Sequence, residues 1–190
     1  MGRFQFVTTV SALTLAVSGA LTAAAGTAQA DGAYDDITMS KQEKTQWCWD
    51  ASGVTIATYQ GYGTTQTDFC NRAAKHDPYL SCNNQPATLQ DMAYAWGDLG
   101  MSHTGTGLSR AATFAEVHSD VDAARPLGAR IGWSSGGGHM NVIYGYDTSD
   151  NTIAVGDPWP DTNTYTWWNY NDYVSNSSFK WTHSRIGISG

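Results

Sequence analysis

The chain has 190 residues, 14% of them charged, and a formal net charge of -7 at pH 7. Its ten lysines and arginines form no cluster, and phosphate binding needs clustered cations, so the composition argues against a nucleic-acid partner. We interpret the acidity as a contribution to solubility.

The first 30 residues have the pattern of a secretory signal peptide. Arg3 is their only charge, an apolar run follows over residues 10–21, and Ala28-Gln29-Ala30 offers a small-residue cleavage site. Ser, Thr and Gly interrupt the run, so it is too weak for a membrane span. We expect a secreted mature chain that begins near Asp31, has no membrane contact after cleavage and, without Arg3, carries a charge of -8.

Residues 31–190 should form one domain, because 190 less 30 leaves 160 residues, enough for a proper core. Only 17 residues separate Ala30 from Cys48, so we expect no large inhibitory propeptide. We expect the protein to act as a monomer.

Three cysteines are present, and an odd number in an exported protein leaves at least one thiol without an intrachain partner. Cys70 and Cys82, twelve positions apart across a loop-like stretch, are the natural disulfide. Cys48 is then the free thiol. No Cys-x-x-Cys pair occurs, so we expect no structural zinc, and no other metal or cofactor.

Four helices are predicted in the first two thirds of the chain. Small and apolar residues at helical spacing predict the first over residues 49–60, with Cys48 at its N-terminus and glycines at 61 and 63 as a stop signal. The second is predicted over residues 67–75. The third begins at Thr88 and the fourth at Thr113, each with an acidic residue three positions later, as in a capping box.

After Pro126 the pattern changes to short runs rich in Val, Ile, Tyr and Trp, separated by Gly, Asn and Asp. This alternation predicts strands over residues 129–133, 139–146, 152–155 and 164–168. Helices followed by a mostly antiparallel sheet indicate an α+β domain.

A cysteine reacts as its thiolate, which a helix N-terminus and a nearby imidazole both favour. Of the five histidines, His139 is the best placed partner for Cys48, because it opens a strand directly after three glycines. The last of these, Gly138, is expected to let substrate approach the backbone closely.

Asp157 is the predicted partner of the histidine. If Tyr146 pairs with Thr152, paired residue numbers sum to 298, so Asp157 faces Asn141 and is the diagonal neighbour of His139. The carboxylate can then orient the ring. A slip of one residue would put the two on opposite faces.

An oxyanion formed at Cys48 needs hydrogen-bond donors. The backbone N–H of Cys48 is one candidate, and the side-chain amides of Gln42 and Gln46 are candidates for the other. Gln46 is so close to Cys48 in sequence that we expect its side chain to turn away, so we favour Gln42.

Aromatic residues surround the predicted site. Trp47 and Trp49 flank Cys48, and we expect one to be buried and the other to line a substrate site. A C-terminal aromatic cluster suits sheet packing better than a cleft wall for apolar side chains or sugar rings, although both remain open. It comprises Trp159, Tyr165, Trp167, Trp168, Tyr170, Tyr173 and Trp181.

Three segments together resemble the bacterial papain-like cysteine peptidases, particularly the branch with secreted avirulence effectors of plant pathogens. They are QEKTQWCWDAS from residue 42, GGHMNVIYGYD from residue 137 and VGDPW from residue 155. The resemblance spans residues 36–160. It implies a papain-like α+β fold with N-terminal helices, the nucleophile at a helix N-terminus, packed on a C-terminal antiparallel sheet.

The resemblance also implies residue roles: Cys48 as nucleophile, His139 as its proton partner, Asp157 as the orienting acid and Gln42 in the oxyanion hole. Gln-Trp replaces the Gly-Ser that precedes the nucleophile in plant relatives, and an aspartate replaces their asparagine. Both departures agree with the bacterial branch.

We therefore expect a secreted cysteine endopeptidase that hydrolyses protein or peptide substrates through a Cys-His-Asp triad and a covalent thioacyl-enzyme. Two alternatives stay open: another acyl-transfer enzyme with the same triad, such as a transglutaminase or a peptidoglycan amidase or endopeptidase, and a catalytically inactive secreted binding protein. A glycosidase is disfavoured, because Glu43 and Glu116 are the only glutamates and no separated carboxylate pair stands out.

Overall fold

The computed structural model describes residues 31–190, and the predicted signal peptide lies outside them. Helices dominate the first part of the described chain and strands the second, which confirms the α+β class. No helix within residues 31–190 is long and apolar enough to cross a membrane. The elements in chain order are β1 (Gly32–Tyr34), α1 (Cys48–Tyr59), α2 (Gln66–Ala74), α3 (Leu89–Leu99), β2 (His103–Leu108), α4 (Phe114–Val121), β3 (Leu127–Trp133), β4 (Gly138–Asp147), β5 (Thr152–Gly156), β6 (Tyr165–Asn169), α5 (Tyr170–Val174) and β7 (Phe179–Ser189).

The described strands form one antiparallel sheet in the order β2-β7-β3-β4-β5-β6, and β1 adds to β4. The four predicted strands are confirmed as β3 to β6, with ends that differ by one or two residues. The sequence patterns missed β1, β2, β7 and the short helix α5. Strand β2, with the sequence HTGTGL, is largely exposed and carries no apolar alternation.

Two apolar cores lie on the two faces of the sheet. Helices α1 to α3 pack on one face, where Met140 and Val142 of β4 meet them. Helix α4 and α5 cover the other face, where Ile143 and Val155 are buried. Burial of these side chains supplies the main driving force for folding.

Helix α1 is buried on nearly all sides, from Trp49 to Ala57. The helix approaches α2 so closely that a Cβ on Gly53 would lie 2.3 Å from a ring carbon of Phe69. A helix surrounded by packed neighbours has little freedom to shift. This packing fixes the position of Cys48, the first residue of α1.

The helix N-termini agree with the sequence signals. Thr88 and Thr113 form complete capping boxes with Asp91 and Glu116, as predicted for α3 and α4. Each box satisfies backbone N–H groups that would otherwise lack partners in the first turn.

The register of the β4–β5 hairpin differs from our prediction near the turn. Tyr146 pairs with Ile153 and not with Thr152, so the predicted pairing is wrong by one residue there. A β-bulge between Ile143 and Gly145 absorbs the extra residue. A bulge inserts one unpaired residue into one strand, so it shifts every later pair by one position.

Beyond the bulge the predicted register is correct. Val142 pairs with Gly156, and these numbers sum to 298, as expected. The register error at the turn therefore does not reach the end of the hairpin where His139 and Asp157 lie. Their side chains are in hydrogen-bond contact.

The predicted disulfide between Cys70 and Cys82 is present and joins α2 to the loop before α3. Cys48 is the one free cysteine in the described residues. The bridge closes a loop of 12 residues, measured by sequence separation. Such a loop restricts the unfolded chain more than the folded one.

We predict that replacing both Cys70 and Cys82 with serine lowers the free energy of unfolding by about 2 to 3 kcal/mol. Urea unfolding, with the Cys48→Ala variant as the parent so that no other thiol is present, would measure the loss. Reducing agent should destabilise the parent by a similar amount and leave the double serine variant unchanged. An equal free energy of unfolding for parent and variant would contradict the prediction.

Candidate active site

A cavity of about 580 Å³ lies where the N-terminus of α1 faces the beginning of β4 and the segment after β5. Cys48, His139 and Asp157 all line it, together with the glycines at 136 to 138. The structure thus brings three of the four predicted catalytic residues to one surface, although 90 residues separate Cys48 from His139 in the chain.

Cys48 is the first residue of α1, and its side chain is partly accessible. The N-cap residue Trp47 offers no side-chain hydrogen bond to the first turn. The N–H groups of a first turn have no partners inside their own helix, and they place partial positive charge at the helix N-terminus. A negative sulfur at Cys48 is favoured by that charge.

His139 is 9% exposed, and its Nε2 lies 2.7 Å from Oδ1 of Asp157. The other ring nitrogen, Nδ1, remains for Cys48. Burial lowers the pKa of His139, but hydrogen bonds with Asp157 and Cys48 and the charges of both groups raise it to about 9. The raised pKa favours the imidazolium form of the ring at neutral pH.

The carboxylate of Asp157 is itself held in place. Burial raises its pKa, but the hydrogen bond from His139 and the bond from the backbone N–H of Trp159, 2.8 Å from Oδ1, bring the pKa below its ordinary value. Asp157 is therefore ionised and can support the charge of the imidazolium.

Lys41 secures the segment that carries Asp157, a contact that the sequence patterns did not reveal. Its Nζ donates to the carbonyl oxygens of Asp157 at 3.1 Å and of Trp159 at 2.7 Å. The backbone N–H of Gln42 donates to the carbonyl of Pro158 at 2.9 Å. Because these contacts join residues more than 110 positions apart, no local signal could have predicted them.

Gln42 does not line the cavity. Its Nε2 lies 2.9 Å from the carbonyl oxygen of Lys44 and 3.0 Å from that of Thr45, so its donors are engaged within its own loop. Gln46, which we disfavoured from its closeness to the nucleophile, does line the cavity. Gln46, the glutamine nearer to Cys48 in sequence, is therefore the one at the cavity wall.

The expectation that one of the two tryptophans beside Cys48 lines a substrate site is wrong. Trp47 and Trp49 are both fully buried, and neither lines the cavity. Trp49 donates from its indole N–H to the carbonyl of Gln85, while Nζ of Lys44 lies 3.7 Å from the ring centroid of Trp47. Helix α1 is enclosed by α2, α3 and the sheet, so both rings have packing partners and no open face.

Gly138 lines the cavity, as predicted, and its contact with substrate stays a prediction. A Cβ at this position would lie 2.6 Å from Nη2 of Arg130 and 2.7 Å from the carbonyl oxygen of Ile131. Only glycine fits so close to the neighbouring strand.

The C-terminal aromatic cluster divides between the core and the cavity wall, and its contact with apolar side chains or sugar rings stays a prediction. Tyr173 and Trp181 are buried in the second core, as sheet packing requires. Trp159 instead lines the cavity, with its ring centroid 6.4 Å from that of His139. Trp167 is half exposed.

Asp50 is an ionisable group beside the site that the sequence patterns did not single out. It lies in the first turn of α1, is fully buried, and neither carboxylate oxygen has a hydrogen-bond partner among the described residues. Burial first, and then the charge of Glu43, raises its pKa to about 9. Asp50 is therefore neutral at physiological pH and does not oppose a negative sulfur at Cys48.

A thiol at a helix N-terminus, an imidazole delivered by an antiparallel sheet and a carboxylate behind it define the papain-like cysteine peptidases as a class. The chain belongs to the family described as papain-like cysteine protease AvrRpt2, whose model matches residues 32–176. It is therefore a papain-like cysteine peptidase by family and fold. Curated protein sequences gave no significant match.

Solved structures share the fold at low sequence identity. The peptidase domain of Streptococcus ComA, described as a bi-functional ABC transporter involved in quorum sensing, aligns with a TM-score of 0.57 and 16% identity, covering 79% of this chain and 97% of that one. Xylellain, a cysteine protease from Xylella fastidiosa, aligns with a TM-score of 0.59 and 10% identity, covering 84% of this chain and 87% of that one. A double glycine motif protease from an AMS/PCAT transporter, in complex with the leader peptide, aligns with a TM-score of 0.53 and 12% identity, covering 83% of this chain and 95% of that one.

We predict that Asp50→Asn stabilises the protein, and more so as the pH rises. Unfolded Asp50 ionises near pH 3.8, whereas the folded group holds its proton to about pH 9. Between these values the unfolded state binds fewer protons, so stability falls with rising pH, and the variant escapes that loss. In urea unfolding, its gain in stability should be larger at pH 8 than at pH 5 by at least about 1 kcal/mol.

The matched control is Asp161→Asn, because Asp161 is exposed. This change should alter stability little at either pH. A gain for Asp50→Asn that is equal at pH 5 and pH 8 would show that the buried carboxyl does not stay protonated.

Proposed function

We propose that the protein is a secreted endopeptidase that cleaves proteins or peptides through a covalent thioacyl-enzyme on Cys48, with His139 and Asp157 completing a catalytic triad. The observation that supports it most is that His139 binds Asp157 through Nε2 while Cys48, at the N-terminus of α1, lines the same cavity as both residues.

In acylation, the sulfur of Cys48 attacks the carbonyl carbon of the scissile bond, and the electron pair of the C=O bond moves to oxygen. When the tetrahedral intermediate collapses, the C–N bond breaks and the leaving nitrogen takes the proton from Nδ1 of His139. The products of this step are a thioester on Cys48, a free amine and a neutral imidazole.

In deacylation, the neutral imidazole accepts a proton from a water molecule as that water attacks the thioester. Collapse releases the carboxylic acid product and restores the sulfur and the imidazolium. Asp157 keeps the ring in the orientation and tautomer that both steps need, and it is not itself protonated, as in related triads.

The backbone N–H of Cys48 supports the oxyanion from the first turn of α1. A second donor is required from a side chain. Gln46 lines the cavity, whereas Gln42 serves in that role only after it releases one of its backbone acceptors. Gln42 remains our proposal from the family resemblance, and the structure supports Gln46 as its competitor.

Export is part of the proposal. The Cys70–Cys82 bridge suits an oxidising compartment, where disulfides form and persist. The charge pattern of residues 1–30 supports a cleaved leader. We further propose that the mature chain acts as a monomer.

We predict that Cys48→Ala and His139→Ala each lower kcat/KM for a cleaved peptide by at least about 1000-fold, because the triad acts as a unit. Cleavage of a denatured protein, followed by mass spectrometry of the fragments, measures the loss. His103→Ala is the matched control, since His103 is exposed on β2 and does not line the cavity, and it should retain full activity.

Substantial cleavage by purified Cys48→Ala protein would refute the mechanism. Incorporation of an amine into a glutamine substrate, in preference to chain cleavage, would identify a transglutaminase. No adduct on Cys48 after incubation with a thiol-directed epoxide would identify an inactive binding protein.

We predict a pH profile of kcat/KM that falls above about pH 9, the pKa of His139. Above that pH the ring has no proton for the leaving nitrogen. Asp157→Asn removes the carboxylate that raises this pKa, so the decline in the variant should begin at lower pH. Initial rates with a fluorogenic peptide measure both profiles, and coincident alkaline limbs would contradict the role of Asp157.

A further inference from the structure

A second cavity, of about 390 Å³, lies between the N-terminal part of α3 and the strands β2, β7 and β3. Its floor carries the side chains of Arg130, His183 and Arg185. Among the described residues, no acidic side chain lines it. This is unusual in a chain with a net charge of -7.

The strand register explains why the basic groups converge. Arg130 pairs with His183, and Gly128 pairs with Arg185, so these side chains project from the same face of β3 and β7. Gly107 of β2 pairs with Arg185, and a Cβ there would lie 3.4 Å from its guanidinium. The absence of a side chain at 107 leaves the space above Arg185 open.

Neither arginine has a carboxylate partner. Within residues 31–190, neither forms a salt bridge within 4.0 Å. Arg185 is 6% exposed and donates only to neutral acceptors, among them the carbonyl oxygens of Thr104 and Gly105. Burial lowers the pKa of Arg185, and a buried cation without a counter-charge favours the approach of an anion.

Arg130 lines this cavity and also lies close to a residue of the cavity that contains Cys48. Its Nη1 donates to the hydroxyl of Thr182 at 3.0 Å, and its Nη2 lies 2.6 Å from the position that a Cβ on Gly138 would occupy. Gly138 itself lines the cavity of the proposed catalytic residues. The Arg130 guanidinium therefore lies against a glycine that lines the cavity of the proposed catalytic residues.

We propose that this basic cavity binds an acidic side chain, Asp or Glu, of the peptide substrate, and that Arg130 is the residue that selects it. The inference rests on the proposed function, because it assigns the ligand as part of the substrate. An arginine can bind a carboxylate with two parallel N–H···O bonds, which lysine cannot reproduce. The N-terminus of α3 also faces this cavity, but Thr88 already caps its first turn. We therefore assign the binding of the carboxylate to the arginines and not to the helix N-terminus.

The test measures binding to Cys48→Ala protein, so that no cleavage is needed. The peptides are made in pairs that differ at one position only, where one peptide carries Glu and the other Gln. That position is varied over the three residues on each side of the scissile bond, and calorimetry gives Kd for each peptide. At one position the Glu peptide should bind at least about tenfold more tightly than its Gln partner, as for a hydrogen bond to a charged group.

Adding Arg130→Gln should bring the two affinities within about twofold of each other and leave the affinity for the Gln peptide unchanged. Arg130→Glu should reverse the preference, so that Lys at that position binds more tightly than Gln. The matched control is Arg72→Gln, since Arg72 is neutralised by Asp68 and Asp98 on α2 and α3, and it should keep the preference for Glu.

Three results would each overturn the inference. They are equal affinity for the Glu and Gln peptides of every pair, no binding of any peptide, and a preference for Glu that survives Arg130→Gln. Thermal unfolding of each variant shows whether the protein is folded. If Arg130→Gln has lost its fold, the reversed preference expected of Arg130→Glu tests the inference independently. Cleavage by the protein with Cys48 intact tests the proposed function separately. An active peptidase without acid preference would refute the inference alone.

Discussion

The hydrogen bond between His139 and Asp157 is the interaction on which the rest of the site depends. It joins the beginning of β4 to the segment after β5, and it holds a buried imidazole in its charged form. An isolated charge at this depth would be costly. The charged ring is stabilised because the carboxylate of Asp157 accepts its hydrogen bond and the charge of Cys48 also raises its pKa.

The fold supplies this interaction through two rigid supports. Helix α1 is enclosed by α2, α3 and the sheet, which fixes the nucleophile. Lys41 binds the backbone of the segment that carries Asp157. Groups held by packing and by further hydrogen bonds need little rearrangement during reaction, and such preorganisation is a major source of catalytic rate.

Sequence patterns predicted the elements that carry strong local signals. The structure contains the features that these signals predicted. They are the capped helices α3 and α4, the free thiol of Cys48 and the strand β4 that carries His139 after the glycines. The bulge near Gly145 has no such signal in the local pattern. Strand β1 also packs closely here, since a Cβ on Gly145 would lie 2.7 Å from Cβ of Tyr34, and that contact joins residues far apart in the chain.

The environment of individual side chains was harder to predict, because it depends on residues far apart in the chain. One of Trp47 and Trp49 was expected to line the cleft because of its position beside Cys48, yet both are enclosed. The contacts of Lys41 and the uncompensated charges of Arg130 and Arg185 arise only when strands from different parts of the chain assemble. Local periodicity carries no information about such contacts.

The most direct measurement of the central claim is the rate at which iodoacetamide alkylates Cys48, because this reaction needs no peptide substrate and reports the negative sulfur. At pH 6 we expect the intact protein to react at least about 100-fold faster than His139→Ala protein, since the imidazolium stabilises that sulfur. Equal rates for the two proteins from pH 5 to pH 8 would contradict the pairing of Cys48 with His139.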